Sequence, residues 1–164
     1  VDAGAHMFSV MAFWPCEQPL DVLISNGLAT MAYALPSAIA AAIKTPDRMV
    51  ISFTGDGGLL MCLGELSTAV EQGVPIIVIV FNDQSLSLID IKQQASGLPS
   101  RGMRWETPNF SQVMDGLGGE GYQVENLQQY RQALDEALEA GKPALIDVLF
   151  NPEGYGQQLK ALRG

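Results

Sequence analysis

The segment Gly55-Asp56-Gly57-Gly58 follows an apolar run and has the residue types of a phosphate-binding turn. At the start of a helix, the N–H groups of Gly57, Gly58 and Leu59 would lack helical partners and would point toward an anion. The Asp56 carboxylate would repel a phosphate unless a divalent cation such as Mg²⁺ lay between the two. A glycine-rich turn in which Asp56 caps the helix is an equally good interpretation of this segment alone.

A second polar segment, Asn82-Asp83, follows the most apolar run of the chain, residues 75–81. Twenty-four residues separate Gly57 from Asn82, which is the length of one helix and one strand. The carboxyl ends of neighbouring parallel strands lie at one edge of a sheet, so Asp83 could lie beside Asp56. Two acid-bearing loops at such ends predict a metal site, and an ordinary Asn-Asp turn is the alternative.

The alternation of apolar runs and helix-like segments predicts an α/β fold with three layers, α/β/α, around a mostly parallel central sheet. Gly73 and Gly141 are predicted to end helices, and Asn126 to begin one. Ligands of such folds bind at the carboxyl ends of strands, which selects the loops 26–31, 54–58 and 82–85. We expect one domain over residues 1–164. The predicted strands are residues 22–25, 49–53, 75–81, 122–124 and 144–150, and the predicted helices are residues 36–43, 59–72, 86–94, 110–117, 127–140 and 157–163.

Composition and charge argue against nucleic-acid and membrane partners. Eighteen acidic and nine basic residues give a net charge of −9, with no basic patch. Residues 22–43 carry no charge, but their polar residues, proline and many alanines favour a buried strand, turn and helix over a membrane span. Cys16 and Cys62 are expected to be buried free thiols of a cytoplasmic protein. His6 is the single histidine, so a zinc site or a Ser-His-Asp triad is a weak alternative. Residues 116–121 match GxGxxG, but they follow a predicted helix and are interpreted as a turn.

In combination, these segments resemble the motifs of the thiamine diphosphate (ThDP) enzymes. GDG, about two dozen residues and then Asn-Asn or Asn-Asp is the cofactor motif of that family. Glu65-Leu-Ser-Thr68 is similar to the ELxT that follows GDG, and residues 28–36 (LATMAYALP) resemble the family segment GLGTMGYGLPAA. Asp2-Ala-Gly-Ala-His6 resembles the DVGQH of acetolactate synthases and their relatives. The resemblance covers essentially the whole chain as the C-terminal ThDP-binding domain.

The resemblance implies a role for each matched residue. Mg²⁺ would be bound by the carboxylates of Asp56 and Asp83 and by the Ser85 carbonyl. His6 would lie on a loop near the cofactor's diphosphate, which would be held at the turn formed by Gly55, Asp56, Gly57, Gly58 and Leu59. The Ala29 carbonyl would accept a hydrogen bond from the 4′-amino group of the cofactor. Met31 would hold the cofactor bent, and a core methionine is the alternative for that residue.

The same resemblance implies partners outside this sequence. In the family, a glutamate that activates the cofactor belongs to a pyrimidine-binding domain, usually from a neighbouring subunit, and this chain has no identified counterpart. We therefore expect a domain of a longer three-domain chain, assembled as a dimer or tetramer, that decarboxylates a 2-oxo acid or joins it to a second substrate. The alternatives are a separate small subunit of a split ThDP-dependent 2-oxo acid decarboxylase and a non-catalytic module that binds a phosphate ligand.

Lys92 marks a departure from the acetolactate synthase pattern, which has tryptophan at the matching position. Lys92 could contact a substrate carboxylate, and a solvated helix lysine is the alternative. Arg101 and Arg104, in the predicted loop 95–108, invite the same hypothesis with less support.

Overall fold

The computed structural model describes residues 1–163, in which helices cover both faces of one parallel sheet. Within these residues the sheet has four strands in the order β1-β2-β4-β3, and each neighbouring pair is parallel. The predicted three-layer α/β/α class is therefore confirmed. The strands are β1 (Val50–Gly55), β2 (Ile76–Asn82), β3 (Glu120–Val124) and β4 (Ala144–Leu149). The helices are α1 (Ala5–Phe13), α2 (Ala34–Lys44), α3 (Asp56–Met61), α4 (Glu65–Gln72), α5 (Ser87–Ala95), α6 (Phe110–Leu117), α7 (Leu127–Ala140) and α8 (Tyr155–Arg163), the last preceded by a 3₁₀ turn, Pro152–Gly154.

Strand β2 forms the centre of the sheet and is buried along almost its whole length. Branched Val and Ile side chains suit a strand that is covered on both faces. On one face, the core consists of side chains from β2, α2, α4 and α6, among them Leu35, Ile39, Leu66, Val78, Val80, Phe110 and Met114. On the other face, α7 packs on the sheet through Ile77, Ile79, Ala133, Ala137 and Ile146. Together these two cores fix the strand ends from which the polar loops leave.

Several predicted helix ends are confirmed by their capping geometry. The Asn126 side chain accepts a hydrogen bond from the Gln129 N–H at 3.0 Å and begins α7. Gly141 and Gly73 end α7 and α4 in the left-handed conformation, with φ of +61° and +62°. Gly118 ends α6 at φ +93°. Gly118 and Gly119 form the turn between α6 and β3, so residues 116–121 lead from a helix into a strand, as predicted.

Two predicted elements are wrong. Residues 22–25 form no strand, because their apolar run has no neighbouring strand to pair with and is only partly buried. The predicted helix 59–72 is two helices, α3 and α4, and α3 begins earlier, at Asp56. Between them the backbone tightens into turns, in which the Glu65 N–H donates to the Cys62 carbonyl and the Ser67 N–H to the Gly64 carbonyl.

The cysteines are free thiols as predicted, but neither shows the full burial that was expected. Cys16 is exposed and Cys62 is half-buried. Cys16 lies in the irregular segment between α1 and α2. Within residues 1–163, no helix combines the length and the apolar character needed to cross a membrane.

Candidate functional site

A cavity of about 210 Å³ opens where β1 and β2 end. Four chain segments meet there: the N-terminal turn, the loop before α2, the loop after β1 and the loop after β2. Most of the predicted site residues line this cavity, namely His6, Ala29, Met31, Gly55, Asp56, Gly57, Gly58, Asp83 and Ser85. The topology alone brings the loops after β1 and β2 together, because these strands are parallel neighbours.

Two predicted residues do not line the cavity. The Leu59 side chain is fully buried in the core beneath α3, so only its backbone could face a ligand. Lys92 is exposed on α5 and is not among the residues that surround the cavity. Arg101 is also exposed, and Arg104 forms an ion pair with Asp90 at 3.3 Å.

The glycine turn at the start of α3 is closely packed. A Cβ on Gly58 would lie 2.3 Å from Oδ2 of Asp2, and a Cβ on Gly57 would lie 3.0 Å from the Leu86 side chain and 3.3 Å from the ring of Trp105. Neither position accommodates a larger residue without a shift of its neighbours. Glycine therefore allows the backbone of this turn to approach both the neighbouring side chains and the cavity.

Asp56 is a buried carboxylate without a complete set of partners. Its side chain is 2% exposed, and Oδ2 has no hydrogen-bond partner among the described residues. Burial, with the negative charge of Asp83 as the second cause, raises the pKa of Asp56 to about 7. Burial also raises the pKa of Asp83. Asp83 is half-buried, and the charges of the two neighbouring carboxylates repel each other. A cation bound between them would relieve this repulsion.

The Asp83 loop is shaped by short-range hydrogen bonds. The Ser85 N–H donates to Oδ1 of Asp83 at 3.1 Å, and the Ser87 hydroxyl donates to Oδ2 at 2.5 Å. Gln84, between them, has a positive φ of 57°, which is a strained conformation for a non-glycine residue. These hydrogen bonds hold residues 83–85 in a tight turn, and Asp83 and Ser85 line the cavity.

A second segment, residues 103–107, lies against this loop and is called the strap below. The Leu86 N–H donates to the Met103 carbonyl at 2.9 Å, and the Trp105 N–H donates to the Gln84 carbonyl at 3.1 Å. Ser85 and Arg104 form an isolated antiparallel bridge. The sequence predicted only a loop here, because the pairing depends on a contact between distant segments and not on a local period.

Asp2 has a structural role that the sequence did not indicate. Its carboxylate is 1% exposed and accepts hydrogen bonds from the N–H groups of Ala32, Tyr33 and Ala34, at 3.0, 2.8 and 3.1 Å. It also accepts one from the Thr54 hydroxyl at 2.8 Å. Asp2 therefore fastens the loop before α2 to the end of β1. The only available signal was the DxGxH pattern itself.

His6 lies in the first turn of α1 and not on a loop, which corrects the prediction. Residues 5–13 are largely apolar and form a helix that packs against β1, so His6 is part of a helix. Its ring stacks on Phe81 at a centroid distance of 5.3 Å. Burial lowers the pKa of His6 to about 4, so the ring is neutral at pH 7. Its Nε2 has no hydrogen-bond partner among the described residues, although the side chain lines the cavity.

Tyr155 is a cavity residue that sequence reasoning missed. It begins α8, is almost fully buried, and packs edge-on against Phe150 at 5.5 Å. Burial, together with the charges of Asp83 and Asp56, raises the pKa of its hydroxyl. No local pattern marks it, because it reaches the cavity from the far end of the chain.

The donor set is that of a hard cation shared with a ligand and not of a closed metal site. Within residues 1–163, no group of three or more His, Cys, Asp or Glu side chains could hold a metal ion. Two carboxylates and backbone oxygen atoms match Mg²⁺, which commonly keeps few protein ligands and completes its shell with phosphate oxygens and water. Fold and site together describe an α/β domain with a candidate phosphate turn and a candidate cation site at adjacent strand ends.

Comparison with known proteins agrees with this description. Residues 2–148 match the family described as "Thiamine pyrophosphate enzyme, C-terminal TPP binding domain", thiamine pyrophosphate being another name for ThDP. The chain belongs to this family. It is 35% identical over 156 residues to the acetolactate synthase isozyme 1 large subunit of Escherichia coli (strain K12), a match that covers 93% of this chain and 27% of that protein. It is 32% identical over 147 residues to the acetolactate synthase of Bacillus subtilis (strain 168), with 90% and 26% covered.

A solved structure supports the same fold. The thiamine diphosphate-dependent 4-hydroxybenzoylformate decarboxylase of Rhodococcus jostii RHA1 matches with a TM-score of 0.69 and 26% identity, over 74% of this chain and 23% of that chain. This chain therefore spans about a quarter of the length of the relatives that it matches.

Proposed function

We propose that this chain is the ThDP- and Mg²⁺-binding domain of a ThDP-dependent enzyme that acts on a 2-oxo acid, by decarboxylation with or without carboligation. The observation that supports it most directly is the buried Asp56 carboxylate, which has a free oxygen atom beside Asp83 at the ends of two adjacent parallel strands. The related acetolactate synthases and the hydroxybenzoylformate decarboxylase indicate the general reaction class.

In this proposal, the cation joins the two acidic loops to the diphosphate. The carboxylates of Asp56 and Asp83 and the carbonyl of Ser85 would hold Mg²⁺. The N–H groups of the turn at Gly55, Gly57, Gly58 and Leu59 would face the diphosphate. His6, which is neutral and has a free Nε2, could donate a hydrogen bond to a phosphate oxygen without adding charge.

The loop before α2 would hold the other end of the cofactor. Ala29 and Met31 line the cavity, and Ala29 has a positive φ of 51°. A strained backbone at this point fits a loop whose carbonyl must be aimed at a ligand, as proposed for Ala29 and the 4′-amino group. Met31 would pack beneath the cofactor and keep it bent. When bound, ThDP supplies a nucleophilic carbon that can add to the carbonyl of a 2-oxo acid.

The complete active site is proposed to need a second domain. A pyrimidine-binding domain of the same protein, from a neighbouring subunit of a homodimer or tetramer, would supply the activating glutamate. This chain would then be the C-terminal part of a longer three-domain polypeptide. A cytoplasmic location is proposed from the two free thiols. A split enzyme, with this domain as a separate small subunit, would differ in the mass of the native gene product.

Lys92 contributes little to the substrate proposal, because it is exposed and away from the cavity. If it contacts a substrate carboxylate, the substrate must extend past the mouth of the cavity. In this proposal, side chains that the second domain brings to the site would determine which 2-oxo acid binds.

The test is a calorimetric titration of ThDP into the natural protein that carries this domain, with Mg²⁺ and again with EDTA. We expect ThDP binding to depend on the metal, and the ThDP affinity to fall by at least about 100-fold in Asp56→Ala. Mutation of residues that only contact a metal ligand already lowers metal affinity by about ten- to a hundredfold. Asp135→Ala, which removes an exposed carboxylate on α7, is the matched control and should bind normally. Unchanged affinity in Asp56→Ala would show that the metal assignment is wrong. Equal competition by ADP would favour the non-catalytic phosphate-binding module.

A further inference from the structure

A buried carboxylate lies behind the candidate cation site, and the site residues described above do not include it. Asp147 is on β4, which is otherwise apolar, and is 0% exposed. In the sheet it is in register with Val80 of β2 and Gln123 of β3. A leucine or valine would be the ordinary residue in such a strand, because burying a charge is costly unless the charge is fully hydrogen-bonded.

The Asp147 carboxylate accepts hydrogen bonds from three directions. The Asn82 Nδ2 donates to Oδ1 at 2.9 Å, and the Gln123 Nε2 donates to Oδ2 at 3.3 Å. The backbone N–H of Phe110, at the start of α6, also donates to this carboxylate. One side chain therefore connects the end of β2, strand β3 and the segment that follows the strap.

Asn82 continues these contacts to the metal loop. It is the last residue of β2 and directly precedes Asp83. Its Nδ2 also donates to Oγ1 of Thr107 at 3.1 Å, and the Thr107 hydroxyl lies 3.3 Å from Oδ1 of Asn82, within hydrogen-bond distance. Thr107 ends the strap, whose backbone pairs with residues 84–86. The Asp83 loop is thus held by Asn82, which precedes it, and by the strap, which pairs with residues 84–86. Asn82 contacts both Thr107 of the strap and Asp147.

We propose that Asp147 is a positioning residue for the cation site: it orients Asn82 and, through Asn82 and Thr107, holds the Asp83 loop in its binding shape. This inference rests on the proposed function, since it assumes that Asp83 binds Mg²⁺. The strain at Gln84, with φ of +57°, explains why the loop needs such support. A strained conformation persists only where the surrounding contacts fix it more firmly than the strain opposes it.

The carboxylate is better suited to this task than a neutral acceptor. A charged acceptor makes hydrogen bonds about twice as strong as a neutral one, so it favours a single orientation of the Asn82 amide. Asp147 makes no direct contribution to the lining of the cavity. Its effect on metal binding would therefore be indirect, and would differ from that of Asp56 or Asp83.

The experiment compares three variants of the natural protein that carries this domain. Asp147→Asn keeps the shape of the side chain and removes its charge. Thr107→Val keeps the shape of its side chain and removes the hydroxyl that contacts Asn82. Gln123→Met is the control, because it removes a different donor from Asp147 and leaves the contacts of Asn82 intact. The measured quantities are the Mg²⁺ affinity at saturating ThDP, by calorimetry, and the melting temperature of the metal-free protein.

We expect the Mg²⁺ affinity to fall by about tenfold in Asp147→Asn, whose remaining Oδ1 can still accept from Asn82 but without the charge that strengthens the hydrogen bond. We expect a fall of about threefold in Thr107→Val, which loses one neutral hydrogen bond. High Mg²⁺ should restore full ThDP binding in both. Gln123→Met should lower the melting temperature and leave the Mg²⁺ affinity within about twofold of the wild-type value.

Two results would overturn the inference. One is an unchanged Mg²⁺ affinity in Asp147→Asn and Thr107→Val while the wild type binds, which would leave the proposed function intact. The other is an equal loss of affinity in all three variants, which would show a general effect of stability. If Asp147→Asn does not fold, Thr107→Val against Gln123→Met decides. Absence of metal-dependent ThDP binding in the wild type would remove the proposed function, and this inference with it.

Discussion

Two loops at the cavity contain strained backbone, and different contacts hold each of them in place. The loop before α2 and the loop after β2 both contain non-glycine residues at positive φ, Ala29 and Ala32 in the first and Gln84 in the second. The first is fastened by a buried carboxylate that accepts backbone N–H groups, at Asp2. The second is fastened through side chains, with Asn82 between Asp147 and Thr107.

The difference matters for what a ligand can change. Backbone N–H groups bound to Asp2 fix the path of the chain itself, including the first turn of α2. The contacts at Asn82 fix only the orientation of its side chain. The loop that follows is held separately, by the hydrogen bonds from Ser85 and Ser87 to Asp83. We therefore expect the first loop to be a stable part of the fold. The second loop should be more sensitive to the charge that is bound next to it.

The largest expected effect is the loss of the Asp2 anchor. Asp2→Ala leaves three backbone N–H groups and the Thr54 hydroxyl without their acceptor, and should destabilise the loop locally by about 3 kcal/mol. The measurement is hydrogen exchange of the amides of Ala32, Tyr33 and Ala34, which should become faster by about two orders of magnitude. Asp135→Ala is the control for the loss of a carboxylate. Unchanged exchange at these amides would show that Asp2 does not anchor the loop.

The second effect in size concerns pH, and it involves His6, which lines the same cavity. Because burial lowers the pKa of His6 to about 4, the unfolded chain binds a proton between pH 6.5 and 4 that the folded chain does not. Unfolding therefore becomes more favourable as the pH falls through this range. The contribution at full protonation is about 3 kcal/mol.

The raised pKa values of Asp56 and Asp83 act in the opposite direction, so the His6 contribution must be isolated by difference. The measurement is the melting temperature of the metal-free protein and of His6→Phe, which cannot titrate, at several pH values between 4 and 7. The wild type should lose more stability than His6→Phe as the pH falls. Parallel curves for the two proteins would mean that His6 is not held neutral by burial.

The same two loops show what could be predicted from the sequence. The glycine turn and the Asn82-Asp83 pair were found because each is a local motif at the end of a recognisable strand, and α6 was predicted with both of its ends. Asp2 and Asp147 could not be assigned their roles, because their partners lie about 30 and 65 residues away. The strand expected at 22–25 failed for the same reason, since strand formation depends on a neighbour that four residues cannot specify.

The smallest expected effect tests the strain in the first loop. The family segment that residues 28–36 resemble has glycine where this chain has Ala29 and Ala32, and both alanines adopt a positive φ. Ala32→Gly removes this strain but gives the unfolded chain more freedom, so we expect a net stabilisation of no more than about 1 kcal/mol. Ala40→Gly, at an exposed position inside α2, should instead destabilise by about 1 kcal/mol, because its backbone is already favourable for alanine. Melting temperatures that shift in opposite directions would show that the Asp2 anchor holds the loop against an intrinsic preference. Destabilisation of similar size in both variants would show that the left-handed conformation at Ala32 is not strained.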